Sequence, residues 1–322
     1  MTLTRILLFA LLAMLVALVA AVSFAWAPDQ PVERLKPRWA APPSTFIDLQ
    51  GMAVHLRDEG RRDDAEPVVL LHGTSASLHT WDGWVAELAR ERRVIRVDLP
   101  GFGLTGPHPA GTYGIGAYTR FVIDLMDRLG VQRAVLVGNS LGGHVAWKTA
   151  HDHPDRVSRL ILIDAAGYAI EPESVPLGFR LARSPVLAPV ASHLLTRGTV
   201  AASLRNVYGN PALVTPELVE RYHAITLRAG NRRAVAERFR QMQPGEHAPQ
   251  IRAIAQPTLI LWGGKDRLIP LQAGQRFSTD IRNSRLVVFD DLGHVPQEED
   301  PARTVRAAMA FLRAVPGGSV SR

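Results

Sequence analysis

Apolar and polar positions repeat along most of the chain in two rhythms, one with a period of two residues and one with a helical period. From about residue 45 onward, short apolar runs typical of buried strands alternate with segments of helical spacing. The strand-like runs are 46–49, 52–56, 68–71, 93–97, 134–138, 160–163, 258–262 and 286–289, and the main helical segments are 81–90, 118–129 and 141–151. The first two runs flank Gln50-Gly51 and are predicted to form an antiparallel hairpin. The alternation predicts an α/β fold whose mostly parallel sheet carries helices on both faces.

One long segment interrupts this alternation. Residues from about 168 to 250 have helical spacing without a convincing strand, and they include many Arg, several Pro and apolar pairs such as Leu194-Leu195. An insertion of about 80 residues is too long for an ordinary loop. We therefore predict a helical cap at about 168–250.

The N-terminal segment has a different character, because it is apolar from Ile6 to Trp26 except for Ser23. As a helix with a rise of ~1.5 Å per residue, it would be roughly 30 Å long, enough to cross the hydrocarbon core of a bilayer. Such a segment is typical either of a membrane anchor or of a secretory signal.

Both interpretations stay open for residues 1–27, and we favour an uncleaved anchor, since Ala25-Trp26-Ala27 followed by Pro28 is a poor cleavage site. Basic residues flank the segment on both sides, so the side of the membrane is open, with the exported side preferred. The Pro-rich residues 28–43 are predicted to form an extended linker, and residues 44–315 the folded domain.

Composition and charge exclude several functional classes. The 322-residue chain has a formal net charge of +7, but the basic residues are scattered and accompany no recognition motif, so we predict no nucleic-acid partner. The chain has no Cys, which excludes a thiol nucleophile, thiolate metal ligands and disulfides.

The strongest motif joins the run 134–138 to the helical segment 141–151. Gly138-Asn139-Ser140-Leu141-Gly142 has the Gly-x-Ser-x-Gly spacing of a nucleophile elbow, a sharp strand-to-helix turn that lifts a Ser hydroxyl above the sheet. Glycine is needed there because a side chain would collide with the neighbouring elements. The first N–H groups of the following helix point towards such a site and can stabilise an oxyanion. Ser140 is therefore the candidate nucleophile.

A serine hydroxyl needs a positioned base, usually a His that is held by a carboxylate. Asp266 and His294 follow the last two predicted strands, where α/β proteins place their sites. The chain order of Ser, acid and His is the one expected after a nucleophile elbow. We predict that Asp266 is the acid and His294 the base.

Other acidic residues compete with Asp266 for this role. Asp164 ends the run 160–163, a second position where such folds place the acid, and Asp290 and Asp291 lie close to His294 in sequence. We interpret Asp290 and Asp291 as loop carboxylates.

Two backbone N–H groups are predicted to hold the oxyanion, those of Thr74 and Leu141, with Ser75 as the alternative if the first turn is shifted by one residue. His72, before that turn, is interpreted as a structural brace of the loop. No group of His, Asp and Glu has metal-ligand spacing and no glycine-rich phosphate loop is present, so neither a metal nor a cofactor is predicted.

Together these motifs resemble the α/β-hydrolase superfamily over about residues 44–315. The residues that carry the resemblance are His72-Gly73, Asp98-Leu99-Pro100-Gly101-Phe102-Gly103, Gly138-Asn139-Ser140-Leu141-Gly142-Gly143, Gly263-Gly264-Lys265-Asp266 and Gly293-His294. The resemblance implies an eight-stranded core, a cap inserted after the strand that ends near Asp164, and an esterase-like or lipase-like activity. Haloalkane dehalogenases and epoxide hydrolases of this superfamily carry Asp where Ser140 stands, which argues against both activities.

We therefore predict a serine hydrolase that cleaves a carboxylic ester, either a small molecule or a lipid, through an acyl-enzyme. Two alternatives stay open. One is a hydrolase of carbon–carbon bonds in a vinylogous diketone, which uses the same three residues, and the other is a non-catalytic binding protein on the same fold. The membrane is a predicted partner through the N-terminal helix.

Overall fold

The computed structural model describes residues 2–314. They contain eight strands and thirteen α-helices, which are joined by loops and short 3-10 helices. The strands are β1 (Thr45–Leu49), β2 (Met52–Gly60), β3 (Val68–Leu71), β4 (Arg93–Val97), β5 (Ala134–Asn139), β6 (Val157–Ile163), β7 (Thr258–Gly263) and β8 (Ser284–Phe289). The helices are α1 (Leu3–Ala25), α2 (Val32–Trp39), α3 (Asp82–Leu88), α4 (Ile115–Arg128), α5 (Leu141–Asp152), α6 (Leu177–Arg183), α7 (Ala188–Ala191), α8 (Arg197–Val207), α9 (Pro216–Thr226), α10 (Asn231–Gln241), α11 (Leu271–Asp280), α12 (Pro296–Glu299) and α13 (Pro301–Arg313).

All eight strands form one mixed sheet in the order β1-β2-β4-β3-β5-β6-β7-β8. The β1–β2 and β2–β4 pairs are antiparallel, and the other neighbours are parallel. The first pair is the predicted hairpin, because Leu49 lies opposite Met52 and both turn residues, Gln50 and Gly51, adopt positive φ. The prediction of a mostly parallel, eight-stranded sheet is confirmed.

Both faces of the sheet are covered by helices. In β3, Val69 and Leu71 pack into one apolar cluster with side chains of α4, α5 and α11, whereas Val68 and Leu70 pack into a second cluster with side chains of α3 and α13. Because both faces are buried, the inner strands are apolar at nearly every position and lose the two-residue alternation.

Five helices, α6 to α10, are inserted between β6 and β7, in the region predicted as a cap. They carry a smaller apolar cluster that includes Leu204, Tyr208 and Val219 and that reaches Val295 in the segment after β8. The cap therefore packs against the sheet edge where the candidate site residues lie.

The N-terminal region contains α1, the one helix within residues 2–314 that is long and apolar enough to cross a membrane. The region after it differs from the sequence prediction. The prediction of an extended linker over 28–43 is wrong at Val32–Trp39, because these residues form α2. Leu35 is buried against the domain, and the Trp39 carbonyl contacts the His79 ring nitrogen at 2.9 Å. Such tertiary contacts outweigh the local cost of a proline inside a helix.

Asp98, which follows β4, is a fully buried carboxylate that ties separate segments together. Its oxygens accept hydrogen bonds from the backbone N–H groups of Leu78 and Leu104, both at 2.7 Å, and contact His55 Nδ1 at 2.6 Å. Burial by itself would raise the pKa of Asp98, but the charge and hydrogen bond of His55 and the nearby histidines hold that pKa below its usual range. The Asp98-to-Gly103 segment is therefore a structural support beneath the site.

We expect Asp98→Asn to destabilise the protein by about 3 kcal/mol, because an amide NH2 would face backbone donors and leave one of them unpaired in the core. Thermal unfolding of the full chain in detergent micelles measures the change. The matched control is Asp63→Asn, since Asp63 pairs with Arg61 at an exposed position and its loss should have little effect. Equal shifts for the two variants would contradict the structural role of Asp98.

Candidate active site

The turn between β5 and α5 holds Ser140 in an unusual backbone conformation, with φ 55° and ψ −114°. Its N–H donates to the Ile163 carbonyl at 3.0 Å, and its own carbonyl accepts from the N–H groups of His144 and Ala166. Positive φ is rare for a residue with a Cβ and persists only where neighbouring contacts determine it. The nucleophile elbow expected from the sequence thus has the backbone geometry that the motif requires.

Two glycines allow the surrounding elements to approach this turn. A Cβ at Gly138 would lie 2.1 Å from the Gly142 carbonyl oxygen, and a Cβ at Gly142 would lie 2.1 Å from the Leu71 carbonyl oxygen. Both distances are far below van der Waals contact, so no larger residue fits at either position.

Asp266 and His294 meet at the carboxyl end of the sheet, in the loops that follow β7 and β8. Asp266 Oδ2 lies 2.7 Å from His294 Nδ1, and Asp266 Oδ1 accepts from the N–H groups of Leu268 and Ile269 at 2.8 and 2.9 Å. Both carboxylate oxygens are therefore oriented. Because an ionised carboxylate only accepts, Nδ1 carries the proton of this pair and Nε2 is left as the basic nitrogen.

The loop of His294 is fixed by two residues that the sequence did not single out for this purpose. Asn139 Nδ2 donates to the His294 carbonyl at 2.9 Å, and Glu299 accepts from the Gly293 N–H at 2.7 Å. Glu299 also accepts from the N–H groups of Gly209 and Asn210 in the cap. Asn139 was identifiable from its place inside the elbow motif, whereas nothing in the local sequence marks Glu299.

Asp164 lies beside this pair in the fold, although it is far from both residues in sequence. One ligand atom from each of Asp164, Asp266 and His294 falls within a 4.8 Å group, and Asp164 Oδ1 accepts from the Gly263 N–H at 3.0 Å. Burial raises the pKa of Asp164 well above its ordinary value, and the Asp266 carboxylate raises it further. Burial and the neighbouring carboxylate thus both favour the neutral form of Asp164.

The same three residues have the spacing of a metal site, which the sequence prediction of no metal-ligand group did not anticipate. Their hydrogen bonds fit a metal poorly. His294 Nδ1 is occupied by Asp266, and a divalent cation prefers deprotonated carboxylates, whereas burial raises the pKa of Asp164. The competing acids Asp290 and Asp291 are both exposed, and Asp291 pairs with Arg303.

A cavity of about 190 Å³ lies beside Ser140 and His294. Thr74 and Asn139 line it on the side of the sheet, and its opposite walls are mostly apolar side chains of the cap. Those cap side chains include Phe179, Leu181, Leu194, Leu204 and Val235. The cavity therefore fits a largely apolar group placed next to the Ser140 hydroxyl.

The two predicted oxyanion donors occupy different positions. Thr74 lines the cavity, whereas Leu141 is buried directly after Ser140 and is not among the lining residues. Among the loop and side-chain hydrogen bonds within residues 2–314, none uses the backbone N–H of either residue. The alternative, Ser75, also lines the cavity and has φ 61°. The nearby His72 ring contacts the Gly73 carbonyl through Nδ1 and accepts from the Leu99 N–H, so it connects two loops below the cavity.

The chain is similar to several known hydrolases in sequence and in fold. The 2-hydroxymuconate semialdehyde hydrolase of Pseudomonas sp. (strain CF600) is 31% identical over 286 residues, which cover 85% of this chain and 95% of that protein. The structure of a meta-cleavage product hydrolase from Pseudomonas fluorescens IP01 matches with a TM-score of 0.72 at 26% identity, over 84% of this chain and 96% of its own. A membrane phospholipase A matches with a TM-score of 0.73 at 25% identity, over 98% of this chain and 100% of its own.

The sequence model of the family described as alpha/beta hydrolase fold matches residues 66–301. That range contains the elbow at Ser140, the loops of Asp266 and His294, and the inserted helices. The chain is therefore a hydrolase-fold protein and belongs to the α/β-hydrolase family.

Proposed function

We propose that the chain is a serine hydrolase in which Ser140 is the nucleophile, His294 the general base and Asp266 the residue that orients His294. The observation that carries the proposal is the 2.7 Å contact between Asp266 and His294, in one cavity wall with the strained Ser140. A His fixed in this tautomer can take the Ser140 proton and return it to a leaving group. The N–H groups of Thr74 and Leu141 are the proposed oxyanion donors.

The first candidate substrate is a vinylogous diketone that is cleaved at a carbon–carbon bond. The relatives named for 2-hydroxymuconate semialdehyde and meta-cleavage products support this reaction better than ester cleavage. In the proposed step, Ser140 Oγ attacks the ketone carbonyl while His294 takes its proton. The carbon–carbon bond then breaks, and its electron pair leaves on a carbon that is stabilised as an enolate and takes the proton from His294. Water, activated by His294, frees the acyl group from Ser140.

Ester cleavage is the second candidate, and a different observation favours it. The match to a membrane phospholipase A extends over 98% of this chain, including the N-terminal helix, and the cavity walls are mostly apolar. The same residues would act in the same order, with an alkoxide in place of the carbanion as the leaving group. The substrate would then be a carboxylic ester with an apolar acyl chain.

The proposed role of α1 is that of a retained membrane anchor. Its last residue and those after it are hydrogen-bonded into the cap: the Ala27 N–H donates to the His193 carbonyl, and the Leu195 N–H donates to the Ala25 carbonyl, both at 2.9 Å. Cleavage near Ala27 would remove these bonds. We also propose residues 44–315 as the hydrolase domain, with the exported side of the membrane as its expected location.

The two neighbouring carboxyl groups should respond differently to replacement by an amide. Asp266→Asn should slow the reaction by about 10⁴-fold, because an amide that donates to Nδ1 stabilises the wrong His294 tautomer. Asp164→Asn should keep most of the activity, because an amide resembles the neutral form of Asp164 that burial favours. Rates of Ser140 labelling by a fluorophosphonate probe measure both effects. An equal loss in both variants would contradict the assignment of Asp266 as the orienting acid.

Asp164→Asn should also change how the stability of the folded protein depends on pH. Since the folded-state pKa of Asp164 is raised, the folded protein binds a proton that the unfolded chain releases above about pH 4, and the folded state loses stability as pH rises from there. Asp164→Asn removes this loss. We expect the variant to unfold at a higher temperature than the unchanged protein near neutral pH, with the difference vanishing at acid pH. A constant difference at every pH would contradict a raised pKa of Asp164 in the folded protein.

One set of assays separates the candidate functions. The full chain in detergent micelles is treated with a fluorophosphonate probe and is given 2-hydroxymuconate semialdehyde or p-nitrophenyl esters of increasing chain length. Labelling with loss of the dienolate absorbance supports carbon–carbon cleavage, and labelling with ester turnover supports the second candidate. Both activities should fall by about 10⁴-fold or more in Ser140→Ala. Absence of labelling would overturn the proposal in favour of a binding protein.

Retention of the anchor is tested by the mass of protein purified from bacterial membranes. We expect the measured mass to include the N-terminal helix. The matched control replaces Trp26 by Gln and Pro28 by Ala, which creates a better Ala-x-Ala site and should yield a shortened protein if the exported domain meets the signal peptidase. Recovery of the unchanged protein without residues 1–27 would contradict the anchor.

A further inference from the structure

The exposed apolar side chains of this protein are concentrated in two segments. Among the side chains described within residues 2–314, the large hydrophobic ones that are exposed lie in α1 and Trp26, in the cap segment 177–191, and at Leu213. In the cap segment, Leu177 is 51% exposed, Val186 81% and Leu187 50%. Contiguous exposed apolar surface marks a site of contact with another molecule or with a membrane.

The structure joins these two segments to each other. Trp26, which follows α1, stacks on the His193 ring with centroids 5.1 Å apart, and the backbone on either side of Trp26 is hydrogen-bonded to His193 and Leu195. Residues 25–27 and 193–195 thus pair like two short antiparallel strands. Residues 193–195, which follow the cap segment, are therefore held beside the end of α1.

A second set of contacts prevents the cap from rotating away from this position. The Gln30 N–H donates to the Leu227 carbonyl at 2.7 Å, and the Ala229 N–H donates to the Gln30 carbonyl at 2.8 Å. Asp29 accepts from Arg232, whose guanidinium also donates to the Ala27 carbonyl, both at 2.6 Å. The segment 25–30 is consequently bonded to two separate parts of the cap.

The charge of the cap segment fits a membrane surface. Residues 177–191 contain Arg180 and Arg183 but no Asp or Glu. Basic residues beside exposed Leu, Val and Trp side chains are typical of protein segments that lie in the headgroup region of anionic bilayers. An interface with a second copy of the chain would not need this charge bias.

We propose that the cap segment 177–191 lies in the surface of the bilayer that holds α1, with Leu177, Val186 and Leu187 in contact with lipid. The inner side of the same segment lines the cavity through Phe179, Leu181 and Ala188. The segment is thus the wall between the lipid phase and Ser140, and apolar substrates enter the cavity from the bilayer. The inference goes beyond the proposed function, since it holds for either candidate bond, and it depends on α1 being inserted.

The absence of Cys from the sequence permits a direct test with single labels. Val186→Cys in the full chain is labelled with the fluorophore NBD and reconstituted into vesicles of phosphatidylcholine and phosphatidylglycerol. Lipids that carry a nitroxide near the headgroup should quench the NBD fluorescence at position 186. The extent of quenching should match that of a residue at the interface, roughly 5–10 Å deep. The matched control is Leu213→Cys, which is 42% exposed and lines a separate surface depression beside Trp39 and Arg221. Val16→Cys, within α1, reports insertion of the anchor.

Quenching at positions 16 and 186 but not at 213 supports the proposal. Quenching at 16 alone overturns it, and so does protection of position 186 from aqueous iodide without quenching by lipid, which indicates contact with another protein copy. If position 16 is not quenched either, the anchor itself has failed, and the inference that depends on it is overturned as well. None of these outcomes depends on whether Ser140 is reactive.

A functional readout follows from the same surface. Val186→Asp combined with Leu187→Asp changes two exposed residues that do not line the cavity. Labelling of Ser140 by a water-soluble fluorophosphonate should be unchanged, whereas labelling by a fluorophosphonate with a long alkyl chain dissolved in vesicles should slow by about tenfold. If the variant and the unchanged protein react at the same rate with the long-chain probe, entry from the bilayer is overturned. If neither probe labels the unchanged protein, the proposed nucleophile is contradicted instead.

Discussion

The backbone at Ser140 is the constraint on which the rest of the site depends, because a residue with a side chain is held at φ 55° between a buried strand and a helix. Such a conformation costs energy and persists only under dense packing. Gly138 and Gly142 permit that packing, since any Cβ there would overlap a neighbouring carbonyl. The parallel strands on one side of this turn then bring the loops of β7 and β8 to the same edge of the sheet, where Asp266 and His294 meet.

Two carboxyl groups at this edge, those of Asp164 and Asp266, have different surroundings. Asp266 has hydrogen-bond donors at both oxygens, whereas Asp164 receives one backbone N–H and faces the Asp266 carboxylate. Burial makes a second nearby negative charge unfavourable, so the pKa of Asp164 is raised. The Asp–His pair therefore lies beside a carboxyl group whose neutral form is favoured.

The cap is connected to the sheet edge and to the N-terminal segment by hydrogen bonds rather than by apolar packing alone. Glu299 accepts N–H groups from the loop of His294 and from the cap, and the backbone of residues 25–30 pairs with two cap segments. The helix α1, the cavity wall and the loop of His294 are thus mechanically linked. A movement of the cap relative to the membrane segment would require several buried or partly buried hydrogen bonds to break.

The sequence by itself determined the strands, the hairpin and the elbow, because apolar periodicity, Gln50-Gly51 and the two elbow glycines act through local sterics and hydrogen bonding. It also gave the chain order of Ser140, Asp266 and His294. Tertiary structure alone decided that 32–39 is a helix, that Glu299 holds the loop of His294, and that Asp164 lies beside Asp266. These features depend on burial and on contacts between residues far apart in the chain, whose free energies outweigh local preferences such as the proline in α2.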